Sequence, residues 1–171
     1  MVKAIMHGCN GKMGKVISNL VAADSDIEIV AGIDPHDDGH NAYPVYRSIF
    51  ECGIDADVII DFAAAGAVNN LLDYAVKKKV PVVLCTTGLS PEQLDKVEEA
   101  AKDVAVLKSA NMSLGINTLF KVLADVSPLL SAAGFDIEIV EKHHRLKVDA
   151  PSGTALALAD SINAANDNKY T

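Results

Sequence analysis

Short apolar runs alternate with amphipathic stretches through residue 111, and this alternation limits the fold more than any other feature of the sequence. The runs at residues 2–6, 27–33, 58–62, 80–85 and 104–107 are rich in Val, Ile and Leu, as strands buried on both faces should be. Between them, residues 11–23 place Met13, Val16, Ile17 and Leu20 on one helical face. Residues 67–79 form a second helical pattern with lysines in its last turn, where they complement the helix dipole. Ser90-Pro91-Glu92-Gln93 opens a third, with Ser as N-cap, Pro at the first position and Gln at the third. Residues 35–48, rich in Pro, Asp, Gly and His, read as an irregular loop. Strands alternating with helices predict an α/β fold with a doubly wound parallel sheet and helices on both faces.

The pattern changes after residue 111. Residues 112–133 read as one long helical stretch in which Pro128 predicts a kink or break. Phe135-Asp136-Ile137-Glu138-Ile139-Val140-Glu141 alternates apolar and polar residues, the mark of a strand with one buried face. A polar stretch, 142–149, leads to a last helix ending near Ala165 and a loose polar tail. This predicts two domains, 1–111 and 112–171, the second an α+β domain. A lone strand cannot form a sheet, so the second domain is expected to be incomplete and the chain to be part of a longer protein.

Charge excludes some functions. Lys and Arg number 15 against 23 Asp and Glu, a formal net charge of −8. With no basic surplus to release counterions, binding to bulk nucleic acid or an anionic membrane surface is not expected. Cys9, Cys52 and Cys85 match neither a zinc site nor a disulfide framework, and free thiols fit a reducing compartment. No apolar stretch is long enough for a signal peptide or a membrane span. A soluble, cytoplasmic protein is expected.

His7-Gly8-Cys9-Asn10-Gly11-Lys12-Met13-Gly14 joins the first strand to the first helix. Its G-x-x-G-x-x-G spacing is a variant of the Rossmann dinucleotide fingerprint. The first glycine allows the tight turn, the second lets backbone N–H groups approach a pyrophosphate, and the third lets helix and strand pack closely. The alternative is an ordinary structural turn. Asp34 follows Gly14 by 20 residues, at the end of the next strand, where a carboxylate can accept from adenosine ribose hydroxyls. It would repel a 2′-phosphate, and Pro35, His36 and Asp37 follow it rather than Arg, so NADH is favoured over NADPH. Alternatively, Asp34 and Pro35 only make a turn. Two further loops, Cys85-Thr86-Thr87-Gly88 and Ser109-Ala110-Asn111-Met112-Ser113, follow strands and could hold a nicotinamide and a substrate, or merely close turns.

The segment 141–154 concentrates Lys142, His143, His144, Arg145 and Lys147 in an acidic protein. Ser152-Gly153-Thr154 begins a helix whose free N–H groups suit a carboxylate. A cationic pocket beside a helix N-terminus suggests a di-acid, and His and Lys can donate protons. No metal site is expected, because adjacent residues on a strand, such as His143 and His144, point to opposite faces. The alternative is a solvated charged loop with Ser152 a plain cap.

Glu141-x-His143-His144-x-x-Lys147-x-Asp149-Ala150-Pro151-Ser152-Gly153-Thr154-Ala155 closely resembles the signature of the bacterial dihydrodipicolinate reductases (4-hydroxy-tetrahydrodipicolinate reductases). Gly8 to Gly14, Asp61-Phe62, Thr86-Thr87-Gly88 and Ala110-Asn111-Met112-Ser113-Leu114-Gly115 support it in order, so the resemblance spans essentially the whole chain. It implies NAD(P)H-dependent reduction of 4-hydroxy-tetrahydrodipicolinate to tetrahydrodipicolinate in lysine biosynthesis through diaminopimelate. By position it makes His143 the catalytic acid/base and Lys147 the proton donor. His144, Ser152, Gly153 and Thr154 would hold a substrate carboxylate. The cofactor would be lined by Gly8, Cys9, Asn10, Gly11, Lys12 and Met13 of the first loop, by Asp34 and Phe62, by Cys85, Thr86 and Thr87, and by Ser109, Ala110, Asn111 and Met112. Full-length members of the family are usually homotetramers.

The sequence departs from the family in three respects. Ala63 and Ala64 follow Phe62 where Ser or Thr and then Pro are common, Cys85 stands where Gly is common, and the resemblance implies a longer C-terminal part than these residues supply. Two alternatives compete with this reading: another nicotinamide oxidoreductase acting on an amino or hydroxy acid, and a nucleotide-binding module or inactive fragment of such an enzyme.

Overall fold

The first strand has a neighbour on each side, and the sheet grows outward from it. β1 (Val2–His7) pairs in parallel with β2 (Ile27–Ile33) on one side and with β4 (Val58–Asp61) on the other. The computed structural model describes residues 1–37, 39–145, 147 and 150–170; readings that fall on Asp38, Leu146, Val148, Asp149 and Thr171 lie outside the described residues. With β3 (Val45–Tyr46), β5 (Val82–Leu84) and β6 (Val106–Lys108), the sheet has six parallel strands in the order β3-β2-β1-β4-β5-β6. The order reverses between β1 and β4. Right-handed crossovers running in opposite directions from that point put the helices on opposite faces. α1 (Lys12–Ala22) covers one face, and α2 (Val68–Lys78) with α3 (Pro91–Ala101) covers the other. This is the predicted Rossmann-like α/β fold.

The core lies on the α2–α3 side. Ile5, Ile59, Val82 and Leu84 from the sheet pack with Val68, Leu71 and Leu72 from α2 and Val97 and Ala100 from α3. The α3 capping box forms as predicted: Ser90 Oγ accepts from Gln93 N–H at 3.3 Å, and Gln93 Oε1 accepts from Ser90 N–H at 3.0 Å. α1 behaves differently. Of its apolar stripe, Met13, Val16 and Leu20 remain 46%, 48% and 66% exposed, and only Gly14 is buried.

Contacts divide the chain into Met1–Ser109 and Ala110–Thr171. The second unit is built on α4 (Leu114–Ala132) packed against α5 (Gly153–Ala165).

Three expectations need correction. The stretch 35–48 is not wholly irregular, because Val45 and Tyr46 form β3 against Gly32 and Ile33. Pro128 does not break α4, which runs on through it. A proline removes one N–H from the ladder, and contacts with α5 and its C-cap hold the helix here, among them Nδ2 of the cap residue Asn166 donating to Ser127 Oγ at 2.9 Å. Residues 135–141 form no strand. Alternation marks a face that needs a partner, and no described residue pairs with this stretch; Phe135 and Val140 are 62% and 79% exposed.

Candidate functional site

In the first unit, a cleft of about 550 Å³ opens at the carboxyl ends of the strands, where the order reverses. Gly8, Gly11, Asp34, Phe62 and Ala63 line it, together with His7 and Arg47. The turn below it admits only glycine. Gly8 has φ +82°, and a Cβ there would meet Phe62 O at 2.8 Å; a Cβ on Gly14 would meet Gly8 O at 2.2 Å. α1 has no side-chain cap. The N–H groups of Lys12, Met13 and Gly14 take no partner among the described residues. A glycine turn leading to an uncapped helix start is what an anionic phosphate requires.

Asp34 makes the turn and also braces the glycine loop. Its carboxylate accepts from His36 N–H at 3.0 Å, closing the turn, and from Asn10 N–H at 3.1 Å, tying the end of β2 to the glycine loop. Asn10 spends its side chain on the loop wall, donating to His36 O and accepting from Asn41 Nδ2. Cys9 is fully buried and packs toward Gly32; burial first, and then the charge of Asp34, pushes its thiol up to about 11. Burial, and then Asp61, likewise pushes the Cys85 thiol up to about 11. Both thiols therefore stay protonated and unreactive near neutral pH. Thr86 is buried and Thr87 exposed. Ser109 ends the first unit, while Ala110, Asn111 and Met112 belong to the second.

In the second unit, Glu141, His143 and the start of α5 come together. Glu141 Oε2 lies 2.8 Å from His143 Nε2, and Oε1 accepts from Ser152 N–H at 2.8 Å. The Ser152 hydroxyl most of all, then the His143 ring, holds the Glu141 carboxyl down from the usual 4.5 to about 2. An ionised carboxylate only accepts, so His143 Nε2 carries a hydrogen and Nδ1 stays outside this bond. Ser152 Oγ also accepts from Ala155 N–H at 3.1 Å, capping α5. Ser152 is thus engaged by the protein, while Gly153 and Thr154 keep N–H groups with no described partner. Thr154 Oγ1 accepts from Asn111 Nδ2 at 3.2 Å. His143, His144 and Arg145 are exposed, and the Lys147 amide donates to His144 O at 3.1 Å. Among the described residues, no cluster of His, Cys, Asp or Glu is suited to a metal ion, and no helix is long and apolar enough to cross a membrane.

A carboxyl with a lowered pKa stabilises the fold fully above its unfolded value, and that contribution is lost as pH falls. The Glu141 tie to α5 should therefore stay intact down to pH 4.5 and loosen between there and about 2. The carboxyl resonance of Glu141, followed by NMR, should titrate in that lower window; a midpoint at 4.5 would mean that the tie does not form.

Sequence reasoning does not single out Glu141, His7 or Asp61 as site residues. A signal is present for the last two: a buried polar residue closing an otherwise apolar run needs a partner.

Comparison with known proteins identifies the family. Residues 2–112 match the family model described as dihydrodipicolinate reductase, N-terminus, and residues 115–171 the one described as dihydrodipicolinate reductase, C-terminus. The 4-hydroxy-tetrahydrodipicolinate reductase of Caldanaerobacter subterraneus subsp. tengcongensis is 52% identical over 163 residues, covering 95% of this chain and 64% of the relative. That of Clostridium novyi is 52% identical over 162 residues, with the same two shares. This chain therefore spans less than two thirds of the length of these relatives. A solved structure of dipicolinate-bound dihydrodipicolinate reductase from Paenisporosarcina sp. TG-14 superposes with a TM-score of 0.76 at 27% identity, covering all of this chain and 69% of that one. With both family models matched in order along its length, the chain belongs to the dihydrodipicolinate reductase family.

Proposed function

We propose that this chain carries the dinucleotide site and part of the acid–base site of a 4-hydroxy-tetrahydrodipicolinate reductase, which reduces its substrate to tetrahydrodipicolinate with NADH or NADPH. The observation that carries the reading is the uncapped start of α1 above a turn that only glycine can make. The dinucleotide pyrophosphate would lie on the N–H groups of Lys12, Met13 and Gly14, with Asp34 accepting from the adenosine ribose. Phe62, Thr86 and the backbone of the loops after β4 and β5 would border the nicotinamide, which supplies hydride when bound. Product differs from substrate by a hydrogen in place of one hydroxyl, so the reaction takes up one hydride and one proton and releases the hydroxyl as water.

In the second unit, the N–H groups of Gly153 and Thr154 would receive a substrate carboxylate, with Ser152 holding the turn that presents them. His143, oriented by Glu141, is the acid/base group, and Lys147 the proton donor; His144 adds positive charge for a doubly negative substrate. Asn111 sets the Thr154 hydroxyl. The whole protein would be a cytoplasmic homotetramer, a reading that rests on the family resemblance and that sedimentation of the full-length form would test.

Two groups act oppositely on cofactor choice. Asp34 disfavours a 2′-phosphate, whereas Arg47, distant from it in sequence, lines the same cleft and would attract one. We expect both reductants to serve, NADH with the lower Michaelis constant. The test is NADH oxidation, followed by absorbance, with substrate generated freshly from pyruvate and aspartate semialdehyde by the preceding synthase. Substrate-dependent loss of NADH establishes the activity in this chain. Fluorescence-detected binding without turnover would leave a nucleotide-binding module, and an NADPH preference would remove Asp34 as the selector.

A further inference from the structure

The apolar sheet holds one polar knot, and it sits beneath the cleft. Asp61, the last residue of β4, is fully buried and stands opposite His7, the last residue of β1, which is 5% exposed. Asp61 Oδ1 meets His7 Nδ1 at 2.5 Å and the Ala63 N–H at 3.3 Å; Oδ2 accepts from the Thr86 hydroxyl at 2.6 Å. One carboxylate thus ties the carboxyl ends of β1 and β4 to the loop after β5. Apolar residues of similar volume would hold parallel strands together without the desolvation that a buried carboxylate suffers, so stability alone does not explain the knot.

His7 lines the cleft and Asp61 does not. With Nδ1 given to Asp61, the ring's remaining polar atom is Nε2, which has no hydrogen-bond partner among the described residues and is not sealed from solvent. The knot straddles the point where the strand order reverses. There the half-site of β1 to β3, which takes the adenosine end of a dinucleotide, meets the half-site of β4 to β6.

We propose that His7 contacts the sugar–phosphate centre of the bound dinucleotide through Nε2, and that Asp61 is the positioning residue that keeps the hydrogen on Nδ1 and so fixes which nitrogen faces the ligand. The proposal rests on the dinucleotide reading above and adds to it a contact on the nicotinamide side of the adenosine phosphate.

The discriminating variant is His7→Asn. The asparagine amide can reproduce the Nδ1 bond to Asp61, and so the fold, but nothing at the Nε2 position. NADH binding by fluorescence should weaken about 10-fold in His7→Asn and in Asp61→Asn, the scale of one lost hydrogen bond in a closed site, while AMP binding changes less than about 2-fold. In the wild-type chain with 15N-labelled histidine, His7 Nδ1 should be protonated, and the Nε2 resonance should move on adding NADH but not on adding AMP. If His7→Asn binds NADH like the wild type, or if Nδ1 carries no hydrogen, the proposal fails and the dinucleotide reading stands. If AMP and NADH weaken equally in the variants, the knot is only structural and the proposal fails again. If the wild type binds no NADH, both fail together.

Discussion

His143→Gln lowers turnover by ~100- to 10,000-fold, the usual contribution of a positioned acid/base group, and leaves NADH affinity nearly unchanged. The reasoning begins at Glu141. Its carboxyl, held near 2, is ionised at any working pH, so it accepts from His143 Nε2 and leaves Nδ1 outside that bond. Glutamine can still donate an amide hydrogen to Glu141, so the loop and the start of α5 keep their anchor. It cannot take up or release a proton. The dinucleotide cleft belongs to the other unit, built from residues such as Gly8 and Asp34, and should not register the change. Steady-state kinetics with NADH titration separates the two effects. An unchanged rate removes His143 from the chemistry, and a matched loss of NADH affinity shows that the substitution disturbed more than proton transfer.

Gly14→Ala should be among the most destabilising single-methyl changes in the chain. The added carbon would lie 2.2 Å from Gly8 O and 2.6 Å from Cys9 O, and these are backbone atoms that no side-chain rotation can move aside. Overpacking typically costs ~1–3 kcal/mol, and a clash with backbone belongs at or above the upper end. For a unit of this size each kcal/mol is worth roughly 4–8 °C, so the melting temperature should fall by about 10 °C or more. NADH binding should be lost with it, since relief requires α1 to move away from the turn that presents its N–H groups. Gly115→Ala is the control, because its added carbon meets nothing nearer than Ser113 Oγ at 3.7 Å, and both readouts should hold. Calorimetry and NADH fluorescence on the two variants decide; equal melting temperatures would show that α1 can shift at no cost.

Much of the first unit is legible in the amino-acid sequence, because its signals are local. A buried parallel strand is a continuous apolar run, a capping box is four adjacent residues, and the 8–14 turn announces itself by its glycines. Each of these depends only on neighbours along the chain. The signal at 135–141 is equally local and yet misleads. Alternation states that one face needs cover, but a strand exists only when another supplies the hydrogen bonds, and none among the described residues does. Pro128 misleads for the opposite reason, since packing against α5 outweighs one missing N–H.

The candidate sites divide in the same way. The order of residues along the chain dictates which types gather in the 8–14 loop and in the 141–154 segment, and so the family, the candidate anion sites at the helix starts and the candidate proton donors. What those residues touch is settled by folding. His7 and Asp61 lie 54 positions apart and meet because β1 and β4 are neighbours. Arg47 reaches the cleft of Asp34 because a short β3 folds the loop back beside β2. Glu141 takes the Ser152 amide, leaving Gly153 and Thr154 to present theirs. Periodicity and capping are written between residues a few positions apart. A buried charge, by contrast, must find its partner across the sheet or across a loop, and that choice is made only when the chain closes on itself.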